Sequence, residues 1–103
     1  MATVTATQER LYLDGEWVET GEWLEVRSPY SGEVVATVAK AGKEQARRAV
    51  DAAARVMREP LPPWRRADLL DRISQIIGER NEEIAQAISA EAGKPIKNAR
   101  VEA

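Results

Sequence analysis

Apolar and polar positions follow a period of two over roughly the first forty residues and then switch to the 3.6-residue period of a helix. Leu11-Tyr12-Leu13 and Glu16-Trp17-Val18 are short strand-like runs on either side of Asp14-Gly15. Asp-Gly is a strong hairpin signal because both turn positions need positive φ. Glu19-Thr20-Gly21 marks a second turn, after which Trp23-Leu24-Glu25-Val26-Arg27 reads as a strand. Ser28-Pro29-Tyr30-Ser31-Gly32 reads as a loop, since Pro29 pushes Ser28 out of the helical region. Val34-Val35-Ala36-Thr37-Val38 is a β-branched run and a fourth strand. Ahead of these, residues 1–10 are mostly small and polar and are expected to form a flexible arm.

The helical period begins after Gly42, the expected N-cap. Ala46, Val50, Ala53, Ala54 and Met57 mark one apolar face, and Glu59-Pro60 closes the helix. Pro63 is placed to open the next helix, whose stripe is Leu69, Leu70, Ile73, Ile76 and Ile77. Gly78 weakens that helix, and Asn81 followed by Glu82 and Glu83 reads as a fresh N-cap with first-turn acids. Ile84, Ala85, Ile88 and Ala92 carry a third helix, stopped by Gly93 and Pro95. Residues 95–103 start like a fourth helix with Pro95 at its first position and show no terminating signal, so the sequence is expected to stop inside an element. Strands are therefore expected over 11–40 and helices over 41–103 of a single α/β unit.

At 103 residues with 44% apolar and 31% charged residues, the composition is that of a folded soluble chain. No apolar run is long enough to span a bilayer, and Met1-Ala2-Thr3-Val4-Thr5 lacks a secretory layout. Cysteine and histidine are both absent, which excludes thiolate nucleophiles, disulfides, Cys/His metal sites and imidazole acid–base chemistry within this stretch. A chain without cysteine fits the cytoplasm. The net charge of −2 is unevenly spread: residues 41–72 hold eight basic and five acidic residues. Nucleic-acid binding through Arg47, Arg48, Arg55, Arg58, Arg65, Arg66 and Arg72 has to be weighed, but Glu44, Asp51 and Asp68 recur at i,i+4 and describe a solvated, ion-paired face.

Motifs for chemistry fail on spacing. Ala-Gly-Lys at 41–43 and 92–94 suggests a phosphate loop, but Thr37 and Ile88 stand where the first glycine is required. Glu44 and Pro95 stand where Ser or Thr is required, and no G-x-G-x-x-G occurs. Glu82-Glu83 and Asp68 with Asp71 are carboxylate pairs explained by a helix's first turn and by a polar face. Trp17, Trp23 and Trp64 could stack on a base or sugar but fit packing or capping roles. No catalytic, cofactor-binding or metal-binding residue is expected within the chain.

Several motifs in order carry a resemblance. Leu11-Tyr12-Leu13-Asp14-Gly15-Glu16-Trp17, Val26-Arg27-Ser28-Pro29-Tyr30-Ser31-Gly32-Glu33-Val34, Ala49-Val50-Asp51-Ala52-Ala53, Trp64-Arg65-Arg66-Ala67 with Leu70, and Glu91-Ala92-Gly93-Lys94-Pro95 are spaced as in the NAD(P)-dependent aldehyde dehydrogenase superfamily. The chain resembles its N-terminal segment, with Ser28 where the family usually has Asn. The resemblance implies a piece of an α/β, Rossmann-like cofactor-binding domain: a β-hairpin and short strands followed by three to four helices. It implies NAD or NADP in the full-length enzyme, bound by other parts of it. There a cysteine thiolate attacks the aldehyde, the thiohemiacetal passes hydride to the nicotinamide, and a glutamate-activated water hydrolyses the thioester. None of those residues falls in this stretch, so the segment alone is expected to be inactive.

The implied partners are the rest of the aldehyde dehydrogenase chain and, in the full enzyme, further copies as a homo-oligomer, with no nucleic acid and no membrane. Some members hold a monovalent cation with the acid corresponding to Glu91 and backbone oxygens near Val26 and Arg27; Glu91 as a plain helix C-terminal acid is the simpler reading. Ser28-Pro29 with the stretch Glu91 to Lys97 looks most like the branch acting on small hydroxy-, phospho- or phosphono-aldehydes such as lactaldehyde. The alternative is a free-standing, non-enzymatic α+β interaction module. The two differ in one expectation: a piece of a larger domain exposes its Leu69/Ile73/Ile76 or Ile84/Ile88 stripe.

Overall fold

The computed structural model describes residues 6–103; the first five residues of the arm expected over 1–10 lie outside the described residues. The chain divides into two compact units. One holds the residues up to Arg27 together with Glu33–Pro60, the other Ser28–Gly32 with Leu61–Ala103.

In the first unit, β1 (Thr7–Glu9), β4 (Trp23–Arg27) and β5 (Val34–Ala39) form a sheet of order β1-β5-β4. The strand at Thr7–Glu9 corrects the expectation of an arm through residue 10. All three of its residues are exposed, so no alternation announces it; it is held by parallel backbone pairing, Thr7 opposite Ala36 and Glu9 opposite Val38. β5 lies in the middle because it alone is apolar on both faces, burying Val35, Ala36 and Ala39. Its other neighbour β4 runs antiparallel, with an irregularity at Val26/Arg27. The Thr20 hydroxyl donates to the Lys40 carbonyl at 2.6 Å and ties the ends of this pair together.

β2 (Leu11–Leu13) and β3 (Glu16–Val18) form the expected hairpin. Asp14 and Gly15 have φ of 52° and 79°, the two positive angles of a type I′ turn. Trp17 lies opposite Tyr12, with ring centroids 4.9 Å apart.

α1 (Lys43–Val56) starts at Gly42, whose N–H donates to the Gln45 side chain at 2.9 Å. Its helical residues stop at Val56, three before the expected Glu59-Pro60 boundary, and the chain leaves through turns at Arg58 and Glu59. The face that packs is not the expected apolar one. Ala52 is its buried residue, whereas Val50 and Met57 are 68% and 67% exposed. Arg48 and Arg55 flank Ala52 on that face and reach Glu16 at 2.8 Å and Asp14 at 2.6 Å in the hairpin. Small side chains and long arginines let the helix approach the hairpin, and its larger apolar residues face elsewhere.

In the second unit, α2 (Pro63–Glu79) opens with Pro63 as expected, and α3 (Asn81–Ala92) follows after Arg80. Asn81 is the first residue of α3 rather than its cap. Gly93 closes α3 in the left-handed conformation. α4 (Ile96–Glu102) begins just after Pro95, one residue later than expected. Seven residues are too short to be helical alone; α4 packs on α3 through Ala85 and Ala99, both 0% exposed. The short strands followed by four helices bear out the expected α/β class.

Candidate functional site

The acidic residues singled out in the sequence are engaged in structure rather than poised for chemistry. Glu82 receives the Arg100 guanidinium in a two-pronged contact of 2.8 and 2.9 Å and a third hydrogen bond from Gln86 at 3.0 Å. These donors, Arg100 foremost, hold its carboxyl down to about 2. Glu83 is likewise lowered, by hydrogen bonding to Arg80 and that residue's charge. Depressed values keep both carboxylates ionised at neutral pH, the opposite of what a general acid needs. Asp68 and Asp71 lie exposed on α2.

Glu91 is exposed in the last turn of α3, Arg27 pairs with Glu25 at 2.5 Å, and Val26 is half-buried in β4. Among the described residues no group of three or more acidic, histidine or cysteine side chains is gathered for a metal. Trp17 packs against Tyr12 with the rings tilted by 55°, Trp23 is half-buried in β4, and Trp64 is exposed in the first turn of α2. The three are not assembled into one stacking platform. Ser28 shapes the start of its loop: its hydroxyl accepts from the N–H groups of Tyr30 and Ser31, both at 3.3 Å.

What the structure offers instead is apolar surface. α2 buries none of its residues, and Leu69, Leu70, Ile73 and Ile77 are exposed along one stripe, with Ile76 half-buried beside them. α1 presents Ala46 and Val50 over a shallow depression edged by Arg47 and Asp51. Among the described residues the buried apolar side chains are alanines, apart from Leu13 and Val35. Such an inversion, small residues inside and large ones outside, is unusual for a self-contained domain and marks docking surface. The periodicity disclosed both stripes; it could not disclose that they are left uncovered.

Comparison with known proteins agrees with the local motifs. Residues 17–103 match the model of the aldehyde dehydrogenase family. The lactaldehyde dehydrogenase of Methanocaldococcus jannaschii is 39% identical over 95 residues, covering 89% of this chain and 20% of that protein. The crystal structure of lactaldehyde dehydrogenase from Escherichia coli superposes with a TM-score of 0.88 at 36% identity, over 95% of this chain and 21% of the other. A betaine aldehyde dehydrogenase of Staphylococcus aureus, solved in complex with NAD+, gives 0.87 at 30% identity over 91% and 20%. This chain thus spans about a fifth of the length of these relatives. With a match over most of its length in sequence and fold, the chain belongs to the aldehyde dehydrogenase family.

Proposed function

We propose that this chain is a scaffolding, non-catalytic segment of an NAD(P)+-dependent aldehyde dehydrogenase, packing through its helices onto the rest of the enzyme. The observation that carries this reading is the exposed apolar side of α1 and α2 in a chain one-fifth the length of its relatives. Covering a large aliphatic side chain contributes about 1.5–3 kcal/mol, so a row of them strongly favours a partner surface. The free-standing module fares worse on the same ground, since it needs large side chains inside.

The complete enzyme in this reading is a cytoplasmic homo-oligomer that binds NAD or NADP and oxidises a small hydroxyaldehyde to the acid. The likeness to lactaldehyde dehydrogenases supports that substrate class. Nucleophile, oxyanion donors and phosphate-contacting turn are supplied outside these residues, which contain no cysteine.

A chimera tests the proposal. The matching segment of the M. jannaschii lactaldehyde dehydrogenase is replaced by this chain, and NAD(P)H formation from lactaldehyde is followed for the chimera and for the chain alone. The expected result is a soluble, active chimera and an inactive chain. Aldehyde oxidation by the chain alone, or a chimera that folds only when α1 and α2 are restored to the host sequence, overturns it.

A further inference from the structure

We propose that Pro60-Leu61-Pro62-Pro63-Trp64-Arg65 is a docking segment for a different protein, one that presents an aromatic-lined groove with carboxylates at its rim, as an SH3 domain does. The six residues have the spacing Pro-x-x-Pro-x-Arg. In a polyproline II helix, with three residues per turn, Pro60 and Pro63 fall on one edge about 9 Å apart and Arg65 follows beyond them. Such a groove seats the two prolines between its aromatic rings and pairs the cation with its carboxylates. The α2 stripe does not account for this segment. Trp64 precedes Ile73 by nine residues, about two and a half turns, and so lies on the opposite side of the helix. Packing of the stripe onto the rest of the enzyme therefore leaves the exposed indole unexplained.

The segment is already shaped and exposed for this contact. Every residue from Pro60 to Arg66 is exposed, Trp64 at 67%. Residues 60–62 belong to no helix or strand, and Pro62 has φ −62° and ψ 151°, the angles of polyproline II. Leu61 and Pro62 each precede a proline, which holds them in that region and lowers the entropy lost on binding. Pro63 begins α2 with a φ that suits either state, so only the first turn has to open for Arg65 to reach the rim. That turn is weakly held. No side chain caps it, no acid lies in it, and Arg65 and Arg66 oppose the positive end of the helix dipole. The N–H groups of Arg65 and Arg66 share one acceptor, the Pro62 carbonyl, at 3.0 and 3.1 Å. Neither arginine makes an ion pair among the described residues, so opening the turn breaks none.

The test titrates a purified SH3 domain selective for Pro-x-x-Pro-x-Arg ligands into the isotope-labelled chain and into the chimeric enzyme. Saturable binding to both is expected. Carbon shifts of Pro63, Trp64 and Arg65 should move from helical to extended values, while those from Asp68 onward stay helical. Pro60→Ala and Pro63→Ala are each expected to weaken binding roughly tenfold or more. Arg65→Glu supplies the first-turn acid that α2 lacks, so helicity should rise while binding falls by a similar factor. That variant decides the matter should the proline variants fail to fold. No binding to the chain, an unchanged affinity in Arg65→Glu, or binding with the first turn still helical overturns the proposal. Binding to the chain but not to an active chimera overturns it too, because the rest of the enzyme then covers the segment. An inactive chimera beside a binding chain sinks the scaffolding reading and supports this one.

Discussion

Gly93 closes α3 so near Pro29 that a Cβ on the glycine would lie 2.9 Å from the proline Cγ. Its φ of 68° is one that side-chain-bearing residues rarely adopt. Two separate constraints, a left-handed cap and a close approach by the Ser28–Gly32 loop, thus meet at one residue. Gly93→Ala is expected to destabilise the second unit by about 1–2 kcal/mol, the sum of the backbone cost and a displaced loop. Urea unfolding at low protein concentration, with hydrogen exchange at the α3 end, measures it; an unchanged midpoint would show that the loop yields freely.

The contact between Glu82 and Arg100 predicts how α4 responds to acid. The Glu82 carboxyl is lowered to about 2 in the folded chain, against an ordinary value of 4.5. Its ionised form therefore supports the fold fully above 4.5, and that support is lost as pH falls towards 2. Helicity and the dispersion of α4 resonances are expected to decline over that window. Glu82→Gln should weaken α4 at neutral pH and flatten the decline; an unchanged profile in that variant would assign the acid sensitivity elsewhere.

Asp14 serves the hairpin twice, through its positive φ and through its ion pair with Arg55. The two roles separate by substitution. Asp14→Asn tolerates the left-handed turn and loses the charge, for an expected cost of about 0.2–1 kcal/mol. Gly15→Val keeps the charge and strains the turn, for an expected cost of about 1–3 kcal/mol. Chemical denaturation of the two variants ranks them, and the reverse order would make the ion pair the dominant restraint.

α1 offers a test of which of its faces matters. Val50→Asp acts on an exposed position and is expected to change stability by no more than about 0.5 kcal/mol. Ala52→Asp puts a charge into the buried face against the hairpin, at an expected cost of about 2 kcal/mol or more. Thermal melts of both variants give the comparison. In the chimeric enzyme the Val50 substitution becomes costly as well, if that face is covered there.

Much of this architecture was legible because it is encoded within a few neighbouring residues. Asp14-Gly15 states its own turn, Pro63 its helix start and Gly93 its helix stop, and each falls where expected. The errors share a cause. β1 is held by pairing with β5, some thirty residues away, and its three exposed side chains leave no trace of that pairing in the sequence. The packed face of α1 was misread because apolar periodicity reports which side prefers burial, while the side buried in this chain is chosen by Ala52 and by Arg48 and Arg55 reaching the hairpin.

The sequence by itself determined the order and type of the elements after β1, the family motifs and the lack of any thiol or imidazole, because these depend on local backbone preference and on side-chain inventory. Only the tertiary structure decided how those elements are used: that Glu82 and Glu83 are spent on Arg100 and Arg80, that alanines fill the interior, and that the aliphatic stripe of α2 stands uncovered. Burial and ion pairing are properties of residues far apart in the chain, and no periodicity specifies them until the fold brings those residues together.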